Sequence, residues 1–150
     1  MQALRFTDRF KNLYDLALKL AGGAAADAVV LLLEGEADWQ RLKKIAGPIK
    51  VVVAADSADK LAGAKENGLE VVQLSAAGIP VYERLTRALL EAVADDILTP
   101  GSSIVALYSG FEAGHLDTMS MIDLGEHLDR LTGRDLRQLE TRVPLDTLKT

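Results

Sequence analysis

Apolar positions along the chain fall into two kinds of run. From Phe10 to Leu20 they recur at helical spacing, through Leu13 and Ala17, and the segment stops at Gly22 and Gly23. The stretch AVVLLL (28–33) is then continuously apolar, the pattern of a strand buried on both faces. A helix follows, with Trp39, Leu42, Ile45 and Ala46 on one side, and it ends at Gly47-Pro48. IKVVVAA (49–55) predicts a second buried strand, followed by an Ala-rich helix from about Ser57 to Asn67. Gly68 is placed to close that helix in a left-handed conformation. LEVVQL (69–74) predicts a third strand. Pro80 suits the first turn of the next helix, where its missing N–H is not needed. That helix runs to Asp96, and its Val81, Leu85, Ala88, Leu89, Ala92 and Val93 form one apolar stripe. After the turn TPGS, SIVALY (103–108) predicts a fourth strand and MSMIDL (119–124) a fifth.

Buried strands alternating with helices predict an α/β protein, a mostly parallel sheet covered on both faces. The fourth and fifth strands are joined by SGFEAGHLDT, too short for a crossover helix, so they should pair antiparallel. The remaining residues, 125–150, change character. Leu128 with Leu131, Leu136 with Leu139 and Leu145 with Leu148 are short apolar pairs interrupted by Gly133 and Pro144, which predicts two or three short helices. We therefore expect a domain over 1–124 and a helical tail or linker over 125–150.

Composition removes several functions. A net charge of −5 with no basic stripe argues against nucleic-acid binding, which needs clustered Lys and Arg. The absence of cysteine excludes disulfides and thiolate metal sites. No apolar run is long enough to span a bilayer and no signal pattern opens the chain, so the expectation is a soluble cytoplasmic domain. AGGAAAD lies between a helix and a strand, the wrong order for a nucleotide loop, and no Walker or nucleophile-elbow motif occurs.

With these elements in view, residues 10–124 resemble the C-terminal α/β domain of pyruvate kinases. The likeness lies in LLLEGEAD after the first strand and, more strongly, in PGSSIVALYSGFEAGHLDTMSMIDL, with Gly110-Phe111, Gly114 and LDTMS. The tail, IDLGEHLDRLTGRDLRQLETRVPLDTLKT, resembles the segment that joins such a domain to a diadenylate cyclase domain in proteins of the DNA-integrity-scanning nucleotide-binding family. The cyclase's own Asp-Gly-Ala and Arg-His-Arg motifs do not occur. The resemblance implies a three-layer α/β/α sandwich with strand order 3-2-1-4-5 and an antiparallel fifth strand. It also implies a non-catalytic accessory module of a cyclase that makes cyclic di-AMP, with the cyclase domain covalently linked beyond Thr150 in the parent protein.

In that order the sheet reverses between the first and fourth strands, where open α/β sheets place ligands. The loops meeting there carry Glu34, Gly35, Glu36, Ser109, Gly110 and His115, the candidate crevice. Glu34, Glu36, Asp38, Glu112 and Asp117 would repel a phosphate, and neither loop holds Lys or Arg. Glu34, Glu36, Asp38 and His115 form a conceivable set for Mg²⁺ or Ca²⁺, but acids at a helix start are favoured by the helix dipole alone, so no metal and no cofactor is expected. Catalysis by Glu34 or His115 lacks a visible partner, and residues 1–150 are not expected to be an enzyme. The fifth strand, at the sheet edge, offers Met119, Met121, Ile122 and Leu124 to a second copy, predicting a homodimer or higher homo-oligomer. The function expected is oligomerisation or regulation of a cyclase; the alternative is a sensor of a small molecule or metal in the crevice.

Overall fold

A computed structural model describes residues 7–23, 26–35, 37–74, 79–111 and 115–127. Among the described residues, the helices α1 (Asp8–Gly22), α2 (Trp39–Ala46) and α3 (Val81–Ala94) flank five strands, β1 (Ala28–Leu32), β2 (Lys50–Ala55), β3 (Glu70–Gln73), β4 (Ser103–Tyr108) and β5 (Thr118–Asp123), and residues 124–127 after β5 are helical. The sheet order is β3-β2-β1-β4-β5. β1 pairs in parallel with β2 and β4, and β2 with β3, while β5 runs antiparallel to β4. The expected α/β sandwich is thus the observed one. Of the expected helical tail, residues 125–127 are described and are helical, and the rest lies outside the described residues.

Each strand sends alternate side chains to opposite layers. Val29, Leu31, Val51, Val53, Val105 and Leu107 meet α1 and α2 through Phe10, Tyr14, Leu18 and Leu42. Val30, Leu32, Val52, Ile104 and Ala106 meet the stripe Leu85, Ala88, Leu89 and Ala92 of α3. Burial of every residue of β1 explains why its sequence is continuously apolar rather than alternating. Helix starts follow local chemistry. Thr7 accepts the Phe10 amide at α1, and Asp38 accepts the Arg41 amide at α2.

The helix expected over 57–67 is replaced by two short 3₁₀ turns, Asp59–Leu61 and Lys65–Asn67. Two constraints break it. Gly63 adopts φ 89°, outside the right-handed helical region. The indole Nε1 of buried Trp39 donates to the Ala62 carbonyl at 2.7 Å, taking an acceptor that a continuous helix would use. Gly68 does adopt the left-handed conformation expected of it, at φ 87°. Among the described residues, no helix is long and apolar enough to cross a membrane.

Tyr14 links the first two helices. Its ring stacks on Phe10 with centroids 5.7 Å apart, and its hydroxyl donates to the Leu42 carbonyl at 2.8 Å in the buried layer. Burial pushes its pKa well above the ordinary tyrosine value, with the neighbouring Asp15 carboxylate adding to the shift. The unfolded chain therefore releases this proton first, near pH 10, while the folded chain still holds it. The resulting stability is fully present below about pH 10 and is lost as pH rises further. Tyr14→Phe should lower stability by about 1 kcal/mol at neutral pH, through the lost hydrogen bond. It should also flatten the fall in stability above about pH 10; urea unfolding as a function of pH measures both effects.

Candidate functional site

The sheet reverses direction of growth at β1 and β4. Leu31 pairs with Leu107, so the chain leaves these adjacent strands side by side, at Glu34 and at Ser109. Helices that follow parallel strands begin at this same carboxyl edge. The first turns of α2 and α3 therefore border the crevice.

Two of the five loop acids are committed to backbone amides. Asp38 is exposed and caps α2, its Oδ1 3.1 Å from the Arg41 amide. Asp117 Oδ1 accepts from the amides of Gly110 (3.0 Å) and Phe111 (3.2 Å) and from the Thr118 hydroxyl (2.8 Å). These are the loop amides that a phosphate cradle would need, and a carboxylate already holds them. Glu36 and Glu112 lie outside the described residues. Gly35 is buried and His115 is exposed. Among the described residues, no three His, Asp or Glu side chains lie close enough to hold a metal ion together.

Glu34 has a basic neighbour that neither loop supplies. Arg84, from the first turns of α3, brings Nη2 to 3.9 Å from Glu34 Oε1, an ion pair longer than a hydrogen bond. Both side chains are largely covered, 20% and 29% exposed. Arg84 Nε is fully buried and has no hydrogen-bond partner, and the same holds for Ser109 Oγ. A buried donor left unmade costs about 1–3 kcal/mol, so two such atoms at one end of the sheet call for an explanation. Counting charges within the loops missed Arg84 because it lies 50 residues from Glu34 in sequence. The signal that finds it is topological: the first turn of any helix after a parallel strand borders the crevice.

Aromatic side chains flank this end of the sheet. Tyr82 is 64% exposed and packs edge-on against Tyr108, with ring centroids 5.8 Å apart. The Tyr108 hydroxyl meets Ser120 Oγ at 2.6 Å, and Phe111 projects from the loop, 96% exposed.

The edge strand divides the proposed contact residues. Met119 packs toward the α1 layer and Ile122 toward the α3 layer, each partly buried, whereas Met121 is 55% exposed. Leu124 is fully buried in the chain's own core, and its amide donates to the Ser102 carbonyl at 2.9 Å. Leu124 is therefore no part of an exposed contact surface: it lies beyond the strand and turns inward.

Loop closure depends on Gly110. A Cβ added there would stand 2.5 Å from Thr118 Oγ1, 3.0 Å from Thr118 Cβ and 3.2 Å from the Tyr108 ring. Gly110→Ala must push the loop off β5 and break the Asp117 clamp. We expect a loss of about 1–3 kcal/mol in denaturant unfolding. Gly101→Ala, where an added Cβ meets nothing within 4 Å, serves as the control.

No curated protein matches the chain. A family model described as "Probable sensor domain DacZ_P" matches residues 9–132, a span that contains both crevice loops, all three helices but the first residue of α1, and all five strands. That description is of a probable sensor domain. The chain belongs to the DacZ_P family of probable sensor domains.

Proposed function

We propose that this chain is the sensing module of a diadenylate cyclase-type protein, working in the cytoplasm, and that it binds a small effector in the crevice between residues 34–38 and 109–115. One observation carries the reading. Arg84 Nε is buried without an acceptor at the switch point of the sheet, where the fold places ligands. The link to a cyclase rests on the family's sensor description together with the tail's resemblance to a cyclase linker. Joining two ATP molecules requires two cyclase domains face to face, so an attached module that responds to a ligand can govern synthesis by governing that encounter. The likeness to the pyruvate kinase C-terminal domain fits this role, since that domain also carries effectors at the same crevice.

The test is a thermal-unfolding screen of the 150-residue chain against nucleotides, sugar phosphates, amino acids and divalent ions. A ligand at 100 times its Kd adds about 2.7 kcal/mol of stability. We expect at least one class to raise Tm and the shift to vanish in Arg84→Ala. A screen in which no compound moves Tm would sink the sensor reading.

A second reading concerns assembly. Among the described residues, β5 is an edge strand with no partner beyond β4, and Met121 stands exposed on it. An apolar edge is normally covered or paired, and a second copy adding antiparallel across a two-fold axis would cover it. Sedimentation should show a dimer that Met121→Lys converts to monomer. A chain that sediments as a monomer at high concentration excludes the arrangement.

A further inference from the structure

The open edge of β5 also fixes how a second copy would add to it, and this step rests on the assembly reading above. We infer that β5 pairs antiparallel with β5 of a second copy in a single register, with Met121 on the two-fold axis and Arg9 of each copy facing the partner subunit's Asp123. The strand carries nothing that blocks a neighbour. It pairs with β4 without a bulge along its whole length, and it contains no Pro or Lys. Opposed residues in an antiparallel ladder alternate between hydrogen-bonded and non-bonded pairs. The Leu124 amide donates to the Ser102 carbonyl, so the bonded residues of β5, counting back in twos, are Ile122, Ser120 and Thr118. Met119, Met121 and Asp123 therefore turn their N–H and C=O groups to the open edge, and among the described residues no strand lies beyond it.

Charge and strand length select the register. Centring the pair on Met121 uses residues 119–123 of both strands and sets Met119 opposite the partner subunit's Asp123. Centring it on Ser120 sets Asp117 opposite the partner subunit's Asp123, and like charges directly opposed destabilise a strand pair. Centring it on Ile122 leaves only 121–123 to pair, because the chain is helical from 124 to 127.

The selected register also brings in α1. Met119 packs toward the α1 layer, so Met121 and Asp123 share that face. α1 ends at the amino edge of the sheet, where Gly22 lies beside Ile49, and so begins at the opposite edge, the end of β5 that carries Met119. It lies over β4 and β1, with α2 over β2. Tyr14 points at α2, and Arg9 and Leu16 stand about 140° and 160° around the helix from it, on the side toward β5. Both are exposed. Arg9 is thus placed at the end where the partner subunit's Asp123 arrives, while Leu16 and Met121 supply apolar surface between the copies. The two-fold axis makes each contact twice.

The chain contains no cysteine, so single-Cys variants of the 150-residue chain report the register directly. Under mild oxidation Met121→Cys should be captured as a disulfide dimer, because a residue on the axis meets its own copy at a Cα separation of about 5.5 Å. Ser120→Cys and Ile122→Cys, each a diagonal step of about 7–8 Å from its own copy, should not be captured. In sedimentation, Arg9→Glu and Asp123→Arg should each weaken the dimer about three- to tenfold, and the double variant should restore it. Single and double variants alike lose the Asp123 acceptor of the Glu126 amide, so recovery in the double reads charge and not folding. A dimer captured through Ser120→Cys or Ile122→Cys, or one indifferent to the charge reversals, overturns the register and leaves the assembly reading standing. A chain that stays monomeric at high concentration and is captured by none of the variants overturns both.

Discussion

The structure depends on the hydrogen bonding of β1 to β2 on one side and β4 on the other. A strand in that position must be buried on both faces, and Ala28–Leu32 is. Once β2 and β3 have extended the sheet in one direction, the chain returns over the opposite face as α3 and adds β4 on the far side of β1. Two consequences follow without further assumption. The loops after β1 and β4 leave the sheet side by side at one edge, and the first turn of α3 is brought beside them. Arg84 reaches Glu34 because of this reversal; no local sequence signal connects them.

Electrostatics at the crevice then turns on which carboxylates are already engaged. Asp38 and Asp117 are held by backbone amides, so their charge is spread over hydrogen bonds that the fold itself requires. The described part of the site is therefore less acidic than its composition implies, and its unsatisfied buried atoms are Arg84 Nε and Ser109 Oγ. Between partly exposed groups, a guanidinium and a carboxylate at 3.9 Å gain little from each other.

Much of this was legible in the sequence, and the failures have physical causes. The central strands were readable because burial on both faces leaves β1 without a polar position and β2 and β4 with one each, at their first residue, and the antiparallel β5 because its connection is too short to cross the sheet. The helix over 57–67 was misread because its Ala content sets propensity, while one glycine and one distant indole decide the backbone. Leu124 was grouped with the edge strand by contiguity, whereas its amide is tied to Ser102 and its side chain to the α3 layer. Sequence put the loops after β1 and β4 at one edge of the sheet, as the strand pairing has them, but could not tell which acids act as caps or clamps. That depends on which amides fold next to them.

The loop from Ser109 to Thr118 gives the crevice and the edge strand a common part. Ser109 is its first residue, and Asp117 pins its start to its end by accepting from Gly110, Phe111 and Thr118 together. Thr118 is also the first residue of β5, registered against Tyr108 and in close approach to Gly110. The two ends of this connection are in close approach, since even a methyl group on Gly110 would collide with Thr118. A ligand drawn against Ser109 would therefore act on the clamp and, through Thr118, on the position of β5 and Met121. A close-packed contact of this kind passes a small displacement on rather than absorbing it. Effector binding and edge-strand assembly need not be rival functions: in this fold one short, clamped loop would be the mechanical link between them.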